Sequence, residues 1–257
     1  MLQDIMLKTT PQTRSTNKRL FPFLLLLVIL SGILFAYCTK SSSGTDKTAV
    51  QTETSTPSPT ATPSPEPVEI FTKSNIPDDI RQAMYGVTIS DRSPVSFDQL
   101  AYLTVTYYGY DDLSHQGHMV VDAALADEVL IIFKELYEAK FPIEKMKLPY
   151  EYDGIDELSM QDNNTSAFND RPIEGSGGLS YHQLGRAVDI NPLVNPYIRF
   201  SDGVFLPTTA QQYVNREQDV KGMIKADSIC VQIFKKYGWT WGGDWNSLKD
   251  YQHFEKK

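Results

Sequence analysis

The sequence predicts an α+β domain over residues 68–257. Runs rich in aromatic and β-branched residues read as strands. Runs with apolar residues every three or four positions read as helices. The two kinds mix without βαβ regularity, and no internal repeat is visible.

Taken in order, A-Y-L-T-V-T-Y-Y-G-Y (101–110) is a strand that ends at glycine, and H-M-V-V (118–121) is a second, short strand. From Ala123 to Lys140, apolar residues at Leu125, Val129, Ile132, Phe133, Leu136 and Tyr137 form one face of a helix that Pro142 stops. A loop-rich stretch follows to about Leu179. R-A-V-D-I-N is a short buried strand. Gly222 to Tyr237 is a second helix, closed by Gly238. Q-H-F-E ends the chain as a last strand. Cys230 falls on the apolar side of that second helix and reads as a small buried hydrophobe.

Two segments precede the domain. Residues 20–37, L-F-P-F-L-L-L-L-V-I-L-S-G-I-L-F-A-Y, are uncharged and apolar, and Arg14, Lys18 and Arg19 stand before them. That order marks a membrane-entering segment whose basic side stays in the cytoplasm. Its length fits either an uncleaved anchor or a cleaved signal. Cys38 raises a lipid anchor, although Tyr37 stands where a small residue would precede a lipidated cysteine. Residues 1–38 are therefore read as a cytoplasmic tail with an anchor or signal. Residues 39–67, with T-S-T-P-S-P-T-A-T-P-S-P-E-P, are a disordered, extended linker that cannot bury enough apolar surface to order itself. The remainder is expected outside the cytoplasm, at the cell surface or wall, attached to the membrane through the N-terminal segment.

Charge and cysteine content narrow the chemistry. The whole chain carries a formal charge of −8. With the six Lys/Arg and four Asp/Glu of residues 1–67 set aside, the domain has 18 basic against 28 acidic residues. Such a domain has no electrostatic footprint for nucleic acid. Two distant cysteines make neither a disulfide framework nor a cysteine-rich metal site, so any metal must rely on histidine and carboxylate.

Two stretches carry that chemistry. S-Y-H-Q-L-G-R-A-V-D (180–189) places His182 between two glycines and puts Asp189 inside a buried strand, on the face opposite Val188. A buried carboxylate needs a cation, a donor set or a metal. G-W-T-W-G-G-D-W-N-S-L-K-D-Y-Q-H-F-E (238–255) supplies Asp250 and His253, together with all three tryptophans. Two histidines and one carboxylate with an open position form the ligand set of a catalytic zinc. Asp250, one tight turn from His253, is placed as the general base for an attacking water. Spacing alone leaves open that these are unrelated groups far apart in sequence. His115 and His118, an H-x-x-H pair, point to opposite faces if they lie on a strand and so cannot share a metal, and Gly117 between them argues for a turn. Trp239, Trp241 and Trp245 are expected to build core and cleft wall together.

S-Y-H-Q-L-G-R-A-V-D resembles the S-x-H-x-x-G-x-A-x-D motif of the zinc D-alanyl-D-alanine carboxypeptidases and L-alanyl-D-glutamate endopeptidases. That family includes vancomycin-resistance D,D-peptidases and several phage endolysins. W-G-G-D-W-N-S-L-K-D-Y-Q-H-F-E resembles the second family motif, in the form of the endopeptidase branch. The likeness extends to N-N-T-S-A-F-N-D-R (163–171) and D-I-N-P-L-V-N-P-Y (189–197) and spans about residues 75–257. It implies zinc bound by His182, Asp189 and His253, Asp250 as catalytic acid/base, and Arg171 and Ser180 as substrate-binding residues. It also implies the small α+β fold of these peptidases, shared with the Hedgehog signalling domain, in which a central antiparallel sheet with helices packed on it carries the zinc. The implied activity is hydrolysis of a peptide bond in the peptidoglycan stem by a monomeric domain. A wall-binding module on a degenerate peptidase scaffold is the alternative. Two departures stand out: many members carry glutamate where this chain has Asp250, and S-A-F-N replaces the family's S-G-Y-R, with Arg171 two residues further on.

Overall fold

The computed structural model describes residues 68–171 and 178–257. The anchor, signal and linker assignments fall outside the described residues. Among the described residues, no helix is long and apolar enough to cross a membrane. In chain order the elements are β1 (Phe71–Ser74), α1 (Asp78–Met84), β2 (Leu100–Tyr108), β3 (Ser114–Asp122), α2 (Ala126–Glu138) and α3 (Asp156–Gln161). Then come β4 (Ala187–Asp189), β5 (Tyr197–Arg199), β6 (Val204–Leu206), α4 (Ile229–Lys236), β7 (Thr240–Trp241), β8 (Leu248–Asp250) and β9 (His253–Glu255).

Helices and antiparallel strands mix, as an α+β reading requires, but among the described residues no single central sheet forms. The described residues hold three small antiparallel sheets instead, ordered β1-β2-β3, β4-β9-β7 and β6-β5-β8. The reason lies in strand length. β4, β5, β6, β8 and β9 each have three residues, and the chain leaves β4 through Asn191 with φ +47°. A left-handed residue there turns the backbone away before a wider sheet can build.

One core joins the first sheet to the second. Strand alternation sends Leu103 and Val105 of β2 and Met119 and Val121 of β3 inward, where Val129, Ile132, Phe133 and Leu136 of α2 meet them. From the other side come Val188 of β4, Phe234 of α4, Trp241 of β7 and Phe254 of β9. Phe254 stacks on Phe234 with centroids 4.0 Å apart and lies against Trp241 at 6.5 Å. This aromatic layer fixes the height and tilt of β9. The opposite face of the first sheet packs Val120 with Ile76, Met84, Leu148 and Phe168.

Several element bounds differ from the sequence expectations. The helix expected over 222–237 begins only at Ile229, because Gly222 takes φ +76° and the Ser228 hydroxyl caps Val231 N–H at 3.4 Å. Its end agrees, with Gly238 at φ +77°. The helix expected to Lys140 stops at Glu138, since Lys140 is itself left-handed at φ +53°. The second strand is longer than H-M-V-V and contains Gly117, which was expected in a turn. A side chain at Gly117 would come within 2.5 Å of Met146 Cβ, so glycine serves close packing there. α3 lies within the stretch read as loop.

Candidate active site

The second sheet assembles the site. β4 pairs antiparallel with β9 so that Asp189 stands opposite His253. His182 reaches the same point from a 3-10 turn, Tyr181–Leu184, just before β4. Ser180 caps that turn: its Oγ accepts from His182 N–H at 3.2 Å, and its own N–H donates to Gln183 Oε1 at 2.9 Å. Gly185 closes the turn at φ +67°, where an added Cβ would meet Asp122 N at 2.5 Å. The motif's serine and glycine thereby aim the imidazole.

Asp189 sets one oxygen 3.1 Å from His182 Nε2 and the other 3.1 Å from His253 Nδ1, and the two nitrogens are 3.2 Å apart. All three residues are buried. The outer ring nitrogens are already engaged. His182 Nδ1 lies 2.6 Å from the Ala167 carbonyl oxygen, which can only accept, so Nδ1 carries a proton and Nε2 is the nitrogen that faces inward. His253 Nε2 lies 3.2 Å from Glu255 Oε2 and leaves Nδ1 inward in the same way. Outer acceptors of this kind orient metal-ligating histidines. Ala167 comes from a segment bridged to β4, with Ser166 and Asp189 exchanging main-chain bonds of 3.0 and 2.8 Å.

The donor set fits a zinc ion. Ligands about 2.0–2.1 Å from a tetrahedral centre stand about 3.3 Å from one another, close to the separations here. One ligand atom from each of the three residues lies within 4.8 Å of the others. Electrostatics agree. Burial would lift the Asp189 carboxyl, but His182 and His253 hold it far below the usual carboxylate range. Burial would lower the His253 imidazole, but Asp189 and Glu255 raise it to about 10. Two carboxylates around two imidazoles thus demand positive charge at this point, as a proton or a metal.

A cleft of about 730 Å³ opens beside the triad. β8 and β5 form part of its wall, and their register sets Asp250 opposite Tyr197. Asp250 Oδ1 is shielded from solvent and makes no hydrogen bond within the protein, while the nearby Gln252 side chain favours the charged carboxyl. An unpaired buried acceptor of this kind costs about 1–3 kcal/mol. Burial, followed by the charge of Asp189, pushes the Asp250 carboxyl up to about 6, against the pull of His253. Gly242 permits this placement, since a Cβ there would stand 2.5 Å from Asp250 O and 2.8 Å from its Cβ.

Arg171 also lines the cleft. Its Nε lies 2.8 Å from Asp156 Oδ1, at the start of α3, and its Nη2 lies 3.7 Å from Asp189 Oδ2. Ser180 lines the cleft as well, with its hydroxyl engaged in the cap described above. Trp245 completes this side, its ring 5.4 Å from that of His253, while Trp239 and Trp241 are buried in the core. His115 and His118 belong elsewhere. Both lie on β3, His115 beside Asp111 at 2.8 Å and His118 stacked on Tyr102 at 5.1 Å. The three ligand candidates therefore meet one another, and His182 and His253 line the same cleft as Asp250. Sequence reasoning missed Glu255, Asp156 and the Ala167 carbonyl. Only Glu255 had a sequence signal: on a strand, two residues from His253 means the same face.

Residues 174–256 match the profile of a family described as D-alanyl-D-alanine carboxypeptidase. Over this segment the chain is similar to that peptidase family. The match contains His182, Asp189, Asp250 and His253, and Arg171 lies just before it. Among curated proteins, the peptidoglycan L-alanyl-D-glutamate endopeptidase CwlK of Bacillus subtilis (strain 168) is 35% identical over 80 residues. That stretch takes in 31% of this chain and 40% of the relative, so the chain is aligned over less than half of that peptidase's length. No solved structure matches.

Proposed function

We propose that residues 68–257 form a zinc peptidase that hydrolyses a peptide bond in peptidoglycan stem peptides. The observation that carries this reading is the buried His182–Asp189–His253 constellation, with both imidazoles turned inward by outer acceptors, beside a cleft that holds Asp250. Zinc, when bound, supplies a Lewis acid that polarises a carbonyl and acidifies water. Asp250 takes the proton of the attacking water and returns it to the departing amine. Its raised carboxyl suits both steps, since it holds and releases a proton near neutrality. Arg171, beside Asp189, donates to the carbonyl oxygen as negative charge develops there.

Cleavage inside a chain, of the L-alanyl–D-glutamate type, is favoured over removal of a terminal residue. The two arginines of the cleft wall are already paired, Arg171 with Asp156 and Arg199 with both oxygens of Asp202 at 2.9–3.1 Å. The Arg199 fork is filled by Asp202, and Arg171 is committed through Nε to Asp156 and through its remaining donors to the developing oxyanion, which leaves neither to grip a terminal carboxylate. The peptidase fold shared with the Hedgehog domain, a location outside the cytoplasm and tethering through residues 1–67 complete the proposal.

The test is metal analysis together with mass spectrometry of the products from a defined pentapeptide muropeptide. One zinc per chain and chelator-sensitive cleavage are expected. His182→Ala and His253→Ala should each lose the metal and at least ~1000-fold in turnover. A folded, zinc-loaded protein that binds muropeptides and cuts none would instead be a wall-binding module.

A further inference from the structure

One buried polar side chain of the cleft wall has been given no role toward the substrate, although its amide lies near enough to the Asp250 carboxyl to favour the charged form. Gln252 stands between Asp250 and His253 and is 3% exposed. Its main-chain carbonyl accepts from Ile190 N–H at 3.0 Å, which locks it to the residue after Asp189. Its side chain lines the cleft. The amide nitrogen finds Met160 Sδ, a weak acceptor, at 3.6 Å. The amide oxygen, Oε1, is shielded from solvent and has no protein donor in reach.

Several carboxylate acceptors of the cleft are already engaged. Asp156 holds Arg171, Glu157 Oε1 accepts from Thr208 N–H and Oγ1–H at 2.8 and 2.6 Å, and Glu255 accepts from His253. Asp250 is reserved for the proton that moves in the reaction. Gln252 Oε1 is a buried amide acceptor without a partner, and unlike these carboxylates it is neutral. A neutral amide oxygen suits the N–H of a peptide better than a cation, which the carboxylates would draw. A peptide entering the cleft leaves water behind, and its main-chain N–H groups need acceptors there. The last side-chain torsion of glutamine is soft, so a small rotation turns Oε1 toward the cleft.

We propose that Gln252 is a substrate-recognition residue, whose Oε1 accepts a hydrogen bond from a main-chain N–H of the bound peptide next to the bond that is cut. This rests on the peptidase reading of the same cleft. It adds a specificity contact between the base and the second histidine, and it predicts which chemical change in a substrate that contact senses.

The experiment uses the zinc-loaded protein and a stem peptide methylated at one backbone nitrogen at a time. Gln252→Met keeps the size of the side chain and removes both amide atoms. It should cut the parent peptide about 10-fold less well in kcat/KM, with zinc content unchanged. One methylated peptide should be cut about 10-fold less well by the wild type and equally well by wild type and Gln252→Met, because the contact is then already lost. Wild-type rates for Gln252→Met on the parent would overturn the proposal. So would a loss of equal size on every methylated peptide, which is the signature of a purely structural role. Should Gln252→Met fail to fold, Gln252→Glu keeps an acceptor in place and should retain wild-type discrimination among the methylated peptides; loss of that discrimination overturns the proposal. Failure of the wild type to cut any peptide would overturn the peptidase reading, and this contact with it.

Discussion

Asp250 should lower the stability of the metal-free protein while serving its chemistry. Its carboxyl ionises near 6 in the fold, against about 4 in an unfolded chain. Two units at 1.36 kcal/mol each amount to about 3 kcal/mol. The sign follows from linkage. The folded state binds this proton more tightly than the unfolded state, so the penalty is absent below about pH 4. It grows as pH rises and is complete above about 6. Asp250→Asn keeps the shape and removes the charge. At pH 8 the chelator-treated variant should therefore be more stable than wild type by up to about 3 kcal/mol, or roughly 6–10 °C in melting temperature. At pH 4 the two should melt together. In the zinc-loaded protein the same variant should lose about 10²–10⁴-fold in turnover with zinc retained. Thermal unfolding at the two pH values, paired with a muropeptide assay, measures both. An Asn variant no more stable than wild type at pH 8, or one that retains turnover, would refute the assignment of a buried, unpaired base.

Two further outcomes follow from the surroundings of the site. Glu255→Ala removes the acceptor 3.2 Å from His253 Nε2 and should weaken zinc about 10–100-fold with little change in fold, read by competition with a chromophoric chelator; unchanged affinity would show that the ring needs no outer partner. Phe254→Ala opens a cavity between Phe234 and Trp241 and should cost about 3–5 kcal/mol in denaturant unfolding, with zinc loosened as β9 loses its support; a cost below about 1 kcal/mol would mean that the aromatic layer does not set the strand.

Much of the domain was legible in the chain because its signals are local. The apolar spacing of Val129, Ile132, Phe133 and Leu136 marks α2 wherever the helix packs, and the aromatic run at 101–108 marks β2. Likewise, the serine and glycine around His182 specify a capped turn by their own chemistry. Short strands were a different matter. β5, β6 and β8 have three residues each, too few for a period-two pattern to stand out, so the wall that holds Asp250 was not foreseen. α3 has only six residues, and Asp156 at its start found Arg171 through tertiary folding.

The sequence by itself determined which residue types were present for metal chemistry and the local turns that aim them. Only the tertiary structure decided that they meet. His182 and His253 lie far apart along the chain, and their nitrogens come within 3.2 Å because β4 and β9 pair in one register, with Asp189 opposite His253. That register rests on Val188 and Phe254 burying together on the opposite face, a packing choice that no local pattern encodes. A slip of β9 by one residue would turn His253 into the core and away from Asp189, since successive side chains on a strand face opposite ways.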